Sequence, residues 1–145
     1  MPKSLYAAAC LIATLLFAGC ASVPMASSEA DASAKAYKID PSKASVYIYR
    51  NESMGGAVKL PLLLDNVSIG DTASKTYVFR QVEPGTHVIT SKAEHDSTLS
   101  LDAKAGSTYF VWQEVKMGMF AAGSALHLVD EAKGKAGVAE CKLVQ

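Results

Sequence analysis

The chain has 145 residues, half of them hydrophobic, and its 14 lysines and arginines balance its 14 aspartates and glutamates. A net charge of zero leaves no basic surplus to neutralise nucleic-acid phosphates, so the composition argues against a nucleic-acid-binding protein. The length suits one domain with one hydrophobic core.

The first 19 residues are typical of an export signal that is removed from the mature protein. A cationic start at Lys3 is followed by an apolar stretch over residues 5–17 and by the small residues Ala18 and Gly19. The apolar stretch is shorter than the roughly 20 residues that a membrane-spanning helix needs. We therefore expect cleavage of residues 1–19 rather than a spanning helix.

Phe17-Ala18-Gly19-Cys20 resembles the lipobox of bacterial lipoproteins. The resemblance implies that Cys20 is acylated with fatty acids such as palmitate and becomes the first residue of the mature chain. Alanine at position 21, where lipoproteins of the inner membrane tend to carry aspartate, implies an outer-membrane location with the domain facing the periplasm. An ordinary secretory signal, which would release an unanchored protein, is the alternative reading.

The next segment predicts a flexible tether. After Cys20 the chain reads ASVPMASSEADASAKA, with almost no large apolar side chains, and such a composition buries too little surface to offset its ordering entropy. We assign residues 20–37 to the lipidated cysteine and tether, and residues 38–145 to the folded domain. Once Cys10 leaves with the signal, Cys141 has no intrachain partner, and we expect its thiol to be buried.

From residue 43 onward the sequence predicts an all-β fold. Short runs rich in β-branched and aromatic residues alternate with turn residues at close spacing, which is typical of an antiparallel β-sandwich of about seven strands. The predicted strand regions are residues 43–50, 58–70, 75–82, 86–94, 98–104, 107–117 and 125–131.

Turn residues divide these regions. Pro61 predicts an edge strand or a bulge, because proline lacks the amide hydrogen of a sheet ladder. Asp65 and Asn66 predict a tight turn. Residues 83–85, Glu-Pro-Gly, predict a type II turn, so we expect the flanking strands to form a hairpin.

The C-terminal tail after residue 131 allows two predictions. Its alanines, lysines and glutamates favour a helix, whereas Gly134 and Gly137 each cost about 1 kcal/mol in a helix interior. We expect a short or frayed helix, or a final strand over residues 141–144.

A family resemblance covers most of the mature chain. The motifs that carry it are residues 46–50, Ile69-Gly70, Pro84-Gly85-Thr86-His87 and residues 105–109. Residues 62–94 are similar to a recurring unit of envelope β-sandwiches of transthyretin-like and surface-layer-like (PEGA) type. Residues 43–131 together resemble small bacterial envelope lipoproteins catalogued as a domain of unknown function. The resemblance implies a fold and an envelope address, and it implies no activity.

No residue pattern specifies a reaction, a metal or a cofactor. His87, His95, His127 and Cys141 are the soft metal ligands of the domain, but their spacing matches no compact zinc motif. The adjacent residues 95–97, His-Asp-Ser, are better explained as a polar turn than as a catalytic triad, because a triad needs side chains from separate elements. His87, beside a turn, is expected to bond a backbone carbonyl. A site gathering these histidines with carboxylates would instead indicate a small hydrolase or metal-binding module.

One candidate binding surface lies at the first strand. If Val46 and Ile48 face the core, the alternation of a strand points Tyr47 and Tyr49 to the other side. With Arg50 at the strand end, these tyrosines would form a surface for a partner. The blander reading, which we favour, is that both faces of the strand are buried by the sandwich and its termini, with Arg50 in a surface ion pair.

A second candidate is the loop over residues 117–123, which is unusually apolar and bounded by glycines. Met117, Met119 and Phe120 would either close over the core or contact lipid or a partner protein, and we lean towards partial burial. The sequence as a whole predicts a lipid-anchored envelope protein with a non-catalytic binding or structural role. An accessory subunit of a larger envelope complex is a further alternative.

Overall fold

The computed structural model describes residues 21–145. The predicted export signal and the lipidation site at Cys20 lie outside the described residues. Within them no helix is both long enough and apolar enough to cross a membrane.

The described residues form nine strands and two short helices. In chain order these are α1 (Ser28–Ala34), β1 (Ala44–Arg50), β2 (Leu60–Leu64), β3 (Val67–Thr72), β4 (Thr76–Val82), β5 (Gly85–Ser91), β6 (Ser97–Ala103), β7 (Thr108–Met117), β8 (Ala122–Val129), α2 (Glu131–Ala139) and β9 (Lys142–Leu143). The tail thus contains both of the structures that its sequence predicted, the helix and the final strand.

The strands make two sheets, one in the order β8-β7-β1-β4-β9 and one in the order β3-β2-β5-β6. The mostly β, two-sheet architecture agrees with the predicted class. The prediction of a wholly antiparallel arrangement is wrong, because β1 runs parallel to β7 and β4 runs parallel to β9. Parallel neighbours need long crossover connections, and the pairing of strands so far apart in sequence is not visible in local patterns.

Of the two turns predicted from the sequence, the one at Asp65 and Asn66 joins a hairpin and the one at residues 83–85 does not. Asp65 and Asn66 have positive φ angles and join the antiparallel strands β2 and β3, as predicted for a tight turn. The predicted hairpin between β4 and β5 is wrong, since these strands belong to different sheets. Pro61 lies in β2, which is flanked by β3 and β5 and is therefore not an edge strand; the pairing register with β3 shifts just after it, between Leu62 and Leu63.

The space between the two sheets is filled by an apolar core, which we call the inter-sheet core. Val46 and Ile48 of β1 reach it from the five-stranded sheet, and Leu62, Ile89 and Leu101 reach it from the four-stranded sheet. All five side chains are almost fully buried. Alternation along β1 therefore places its aliphatic residues between the sheets and its tyrosines on the opposite face.

That opposite face carries a second apolar cluster, here called the aromatic cluster. Its buried members are Ala34, Tyr47, Tyr49, Tyr77, Phe110, Val138 and Cys141. Tyr47 lies at the centre and stacks on Phe110 and Phe79. Helices α1 and α2 supply Ala34 and Val138, so elements from both ends of the chain cover the aromatic side chains.

The two glycines of α2 are explained by this packing. A Cβ atom at Gly134 would lie 2.1 Å from Cγ of Phe110, and one at Gly137 would lie 2.1 Å from Cε2 of Tyr49. Only a helix without side chains at these positions can bring its backbone against the rings. The cost in helix propensity that the sequence suggested is offset by close packing.

Over residues 21–37 the structure differs from the predicted flexible tether. This N-terminal strap (residues 21–37) pairs with the edge of the five-stranded sheet, where Met25 bridges Val144 and the Ala26 amide donates to the Leu143 carbonyl. It continues into α1, which Ser27 caps by accepting from the Ala30 amide. The strap is held by backbone and polar contacts and by a few apolar side chains such as Val23 and Ala34, which the average composition of the segment does not reveal.

Candidate functional site

The clearest candidate site is an exposed apolar end of the molecule, which we call the tip. It consists of the loop over residues 117–121, between β7 and β8, and the neighbouring loop over residues 51–59, between β1 and β2. Met117, Met119 and Phe120 are 81%, 85% and 90% exposed, the highest values among the large apolar side chains of residues 21–145. Exposed apolar side chains that cluster in this way mark contact surfaces for proteins or membranes.

The two tip loops enclose a shallow apolar groove of about 490 Å³. Met54 and Val58 line it from one loop, and Met117, Met119 and Phe120 line it from the other. Methionine side chains are unbranched and polarizable, so they adapt to partners of irregular shape. The groove can therefore hold apolar chains, and its lining offers no set of polar side chains for positioning a reaction.

Glu94, in the turn between β5 and β6, holds the 117–121 loop in place. Its Oε2 accepts hydrogen bonds from the Ala121 amide at 3.2 Å and from the Phe120 amide at 3.4 Å. A Cβ atom at Gly118 would lie 1.8 Å from that same oxygen, so the loop can wrap the carboxylate only with glycine there. The 117–121 loop is thus held by hydrogen bonds from its backbone to Glu94, while its large apolar side chains are exposed to solvent.

Arg50 supports the other loop from inside the fold. Its guanidinium is fully buried and donates to the carbonyl oxygens of Val58 at 2.8 Å and Gly55 at 2.6 Å. Burial lowers the pKa of Arg50 from its ordinary value, while the nearby Glu52 carboxylate opposes that shift. The predicted roles of Arg50 as a contact residue or as a surface ion-pair partner are therefore wrong, since it positions the tip and is inaccessible to a partner.

Tyr47 and Tyr49 do not form the predicted surface either. Both rings are almost fully buried in the aromatic cluster, and the Tyr47 hydroxyl donates to the Ala34 carbonyl at 2.7 Å. Burial raises the pKa of each tyrosine to about 12, so both phenols stay protonated. The alternative that we favoured, burial of both faces of β1 by the sheets and the chain termini, is confirmed.

The tip loop, in contrast to these tyrosines, is exposed. Its large apolar residues are Met117, Met119 and Phe120. The expectation that their loop is partly buried is wrong, because no segment among residues 21–145 covers these three side chains. The loop projects past the end of β1: the pairing of β1 with β7 stops at Trp112, and β7 runs on to Met117.

The N-terminal strap begins at this same end of the molecule. The amide of Ala21 donates to the carbonyl of Gly56 at 2.9 Å, and Gly56 follows Gly55 of the groove lining. The peptide bond from residue 20 is made to that same nitrogen. The chain therefore enters the described fold beside the tip.

The three histidines lie in separate places, and His87 and His127 take part in polar contacts. His87 places Nδ1 2.6 Å from Asp65 Oδ2 and Nε2 2.7 Å from the Glu83 carbonyl, which confirms the predicted bond to a backbone carbonyl. Bonding to Asp65, and then to the carbonyl, raises the pKa of His87 above its ordinary value. His127 contacts Glu114 from β8, and His95 lies in the turn between β5 and β6.

Among the residues that the structure describes, no three His, Cys, Asp or Glu side chains lie close enough together to hold a metal ion. Cys141 is buried, as predicted, and its Sγ lies 3.5 Å from the Arg50 carbonyl. Burial raises the pKa of this thiol to about 12, which leaves almost no reactive thiolate at neutral pH.

Comparison with known proteins identifies the family. Residues 40–124 match the family described as a protein of unknown function (DUF2846). The chain belongs to this family. It is also 34% identical over 145 residues to a Haemophilus influenzae protein described as uncharacterized, and the alignment covers 97% of this chain and 86% of that protein. No solved structure gives a significant match.

The DUF2846 match contains every part of the tip. It spans Arg50 and both tip loops, together with Glu94, and it ends at residue 124, just inside β8. The strap and helix α2, which cover the aromatic cluster, both lie outside the matched range. The matched core is thus the two-sheet body with its tip, to which the chain termini add a covering layer.

Sequence reasoning about this DUF2846 protein missed three residues in or beside the tip. Met54, Glu94 and Ala21 were not singled out, because each lies in a different segment and only the tertiary structure brings them together. The one sequence signal was Met54, a large apolar residue directly before two glycines. Glu94 carries no local pattern that distinguishes it from any other surface carboxylate.

Proposed function

We propose that this DUF2846 protein is a lipid-anchored protein of the bacterial cell envelope with a non-catalytic binding or structural role. Cys20 is the acylated residue, and the outer membrane, with the domain in the periplasm, is the proposed location. The main support is the run Leu16-Phe17-Ala18-Gly19-Cys20 at the end of an apolar stretch of export-signal type.

The fold offers further support for an anchor at this position. Ala21 is the first described residue, and its amide bonds to the body of the protein at Gly56. Acyl chains on the preceding residue would leave the protein from one defined side. Two or more such chains give stable anchoring, since each buried CH₂ contributes about 0.8 kcal/mol.

A binding or structural role agrees with how the polar side chains are used. Arg50 bonds backbone carbonyls, Tyr47 bonds α1, and Gln113 bonds Ser91 inside the inter-sheet layer. These groups fix the fold, and the most accessible feature is the apolar tip. We also propose that the two sheets, which share one apolar core, form a β-sandwich of the transthyretin-like, PEGA type.

The test is the maturation of variants in a bacterial host. We expect Cys20→Ala to accumulate as an unacylated precursor that keeps residues 1–19, because acylation of the cysteine precedes cleavage in lipoproteins. Intact mass and inner- and outer-membrane fractionation report the result. Cys10→Ala is the matched control, since this cysteine lies inside the predicted signal and that variant should mature normally. Normal cleavage of the Cys20→Ala variant would refute the proposed lipid anchor.

A further inference from the structure

Two features of this protein meet at the tip. One is the cluster of exposed side chains of Met54, Met117, Met119 and Phe120. The other is the start of the strap, where the Ala21 amide donates to the Gly56 carbonyl. Exposed apolar side chains are stabilised when an apolar surface covers them. The bond from Ala21 places the attachment point of residue 20, the proposed anchor, next to these side chains.

No free linker separates this attachment point from the fold. The strap pairs with the edge of β9 through Met25 and Ala26, and Val23 is buried in the inter-sheet core. An anchor at residue 20 would therefore hold the domain at the bilayer surface and would not let it hang from a long tether. The orientation of the domain then follows from the position of Ala21 beside the tip.

We propose that the apolar tip inserts into the same leaflet that holds the acyl chains of Cys20, so that the domain stands on the membrane on this end. This inference rests on the proposed acylation of Cys20. The occupant of the tip is phospholipid, because the covering must lie directly beside the anchoring residue. Phe120, Met119 and Met117 occupy the interfacial region, where apolar side chains of peripheral proteins bury themselves about 5–10 Å.

The surroundings of the tip suit a phospholipid interface. Lys59 and Lys116 immediately adjoin the groove-lining residues Val58 and Met117, and both lysines are exposed. The Lys116 ammonium donates to the Glu114 carboxylate at 2.8 Å and would exchange this exposed ion pair for a phosphate. Lysine side chains beside an inserted loop can extend to headgroup phosphates while their alkyl stems stay in the apolar layer. The Glu94 carboxylate at the base of the loop is occupied by the loop's own amides.

A depth-sensitive fluorescence experiment on the full chain tests the inference. The substitution Trp112→Phe removes the one native tryptophan, and Phe120→Trp introduces a single tryptophan reporter at the tip. The matched control is Val67→Trp, at an apolar residue 66% exposed in the β2–β3 hairpin, which belongs to the other sheet. Each protein is expressed with its own signal, purified from membranes and reconstituted into phosphatidylcholine vesicles with and without brominated acyl chains.

We expect several-fold stronger quenching by brominated lipid for the Phe120→Trp reporter than for the Val67→Trp reporter, together with a blue-shifted emission. Met119→Trp, on the same loop, should repeat the result. The three reporter sites are exposed, and Trp112→Phe keeps an aromatic ring beside the aromatic cluster, so the fold should be retained. Near-ultraviolet circular dichroism checks this.

The intact mass of each purified protein separates this inference from the proposed function. An acylated protein whose two reporters are quenched equally would keep the anchor and overturn tip insertion, leaving the tip open to a protein partner. A protein without acyl chains would overturn the proposed function, and the inference that rests on it would fall as well.

Discussion

The aromatic cluster and the tip are both groups of apolar side chains, but the first is buried and the second is exposed. In the aromatic cluster, helices α1 and α2 close over Tyr47, Tyr49 and Phe110. At the tip, Met119 and Phe120 stay exposed although their loop is held firmly by Glu94. Apolar content alone therefore does not decide burial. The deciding factor is whether another part of the chain can reach the same surface.

The largest effect is expected where the two regions are compared by the same substitution. Phe110→Ala removes a buried ring that stacks on Tyr47, and we expect a loss of about 3–5 kcal/mol in the free energy of unfolding. Phe120→Ala removes an exposed ring and should change it by less than about 0.5 kcal/mol. Urea denaturation measures both. Equal losses would show that the tip packs against the body and would refute the contrast.

A smaller effect is expected where α2 contacts the aromatic cluster. Gly137→Ala gains about 1 kcal/mol in helix propensity, but its Cβ would lie 2.1 Å from the Tyr49 ring, and overpacking typically costs about 1–3 kcal/mol. We expect a net destabilisation of about 1 kcal/mol in urea denaturation. Gly56→Ala is the control, because a Cβ there meets its nearest atom at 3.4 Å. A stabilised Gly137→Ala variant would mean that α2 packs more loosely.

The last effect concerns the strap; it is similar in size at neutral pH and diminishes in acid. Asp31 of α1 accepts hydrogen bonds from the Tyr77 hydroxyl and the Leu143 amide, both at 2.9 Å. Burial would raise the pKa of Asp31, but the bonds from Lys35, Tyr77 and Leu143 outweigh it, so the pKa lies below its ordinary value. A carboxyl with a lowered folded pKa stabilises the fold above its unfolded pKa, and this contribution is lost as the pH falls through the folded pKa.

Asp31→Asn should therefore cost about 1 kcal/mol at neutral pH, since it weakens hydrogen bonds to a charged acceptor. The difference from the parent protein should shrink as the pH falls below about 4, because Asp31 is protonated first in the unfolded chain and then, below its lowered pKa, in the folded protein. Denaturation curves of both proteins across this range test the prediction. Asp40→Asn is a control for charge alone, because Asp40 bonds only to residues of its own turn. A difference that stays constant with pH would contradict the role of the charged form.

Local sequence determined a large part of this protein. The seven predicted β-rich regions coincide with eight of the nine strands, since the region over residues 58–70 holds both β2 and β3. Alternation and turn residues act over a few neighbouring positions, so they can be read locally. The turn at Asp65 and Asn66, the contact of His87 with a backbone carbonyl and the burial of Cys141 also agree with prediction. The proposed export signal and lipidation motif around Cys20 stay a prediction, made from a contiguous pattern of the same local kind.

Only the tertiary structure decided which strands are neighbours and which apolar residues are covered. The parallel pairing of β1 with β7 and the division of β4 and β5 between two sheets join segments far apart in the chain. Arg50 appeared to be a surface residue because its bonding partners are backbone carbonyls, which have no sequence signature. The strap appeared to be a tether because its few polar anchors, such as Asp31, act on Tyr77 and Leu143, far along the chain. Burial is a property of what packs on a residue, so the opposite fates of Tyr47 and Phe120 could be decided only by the folded chain.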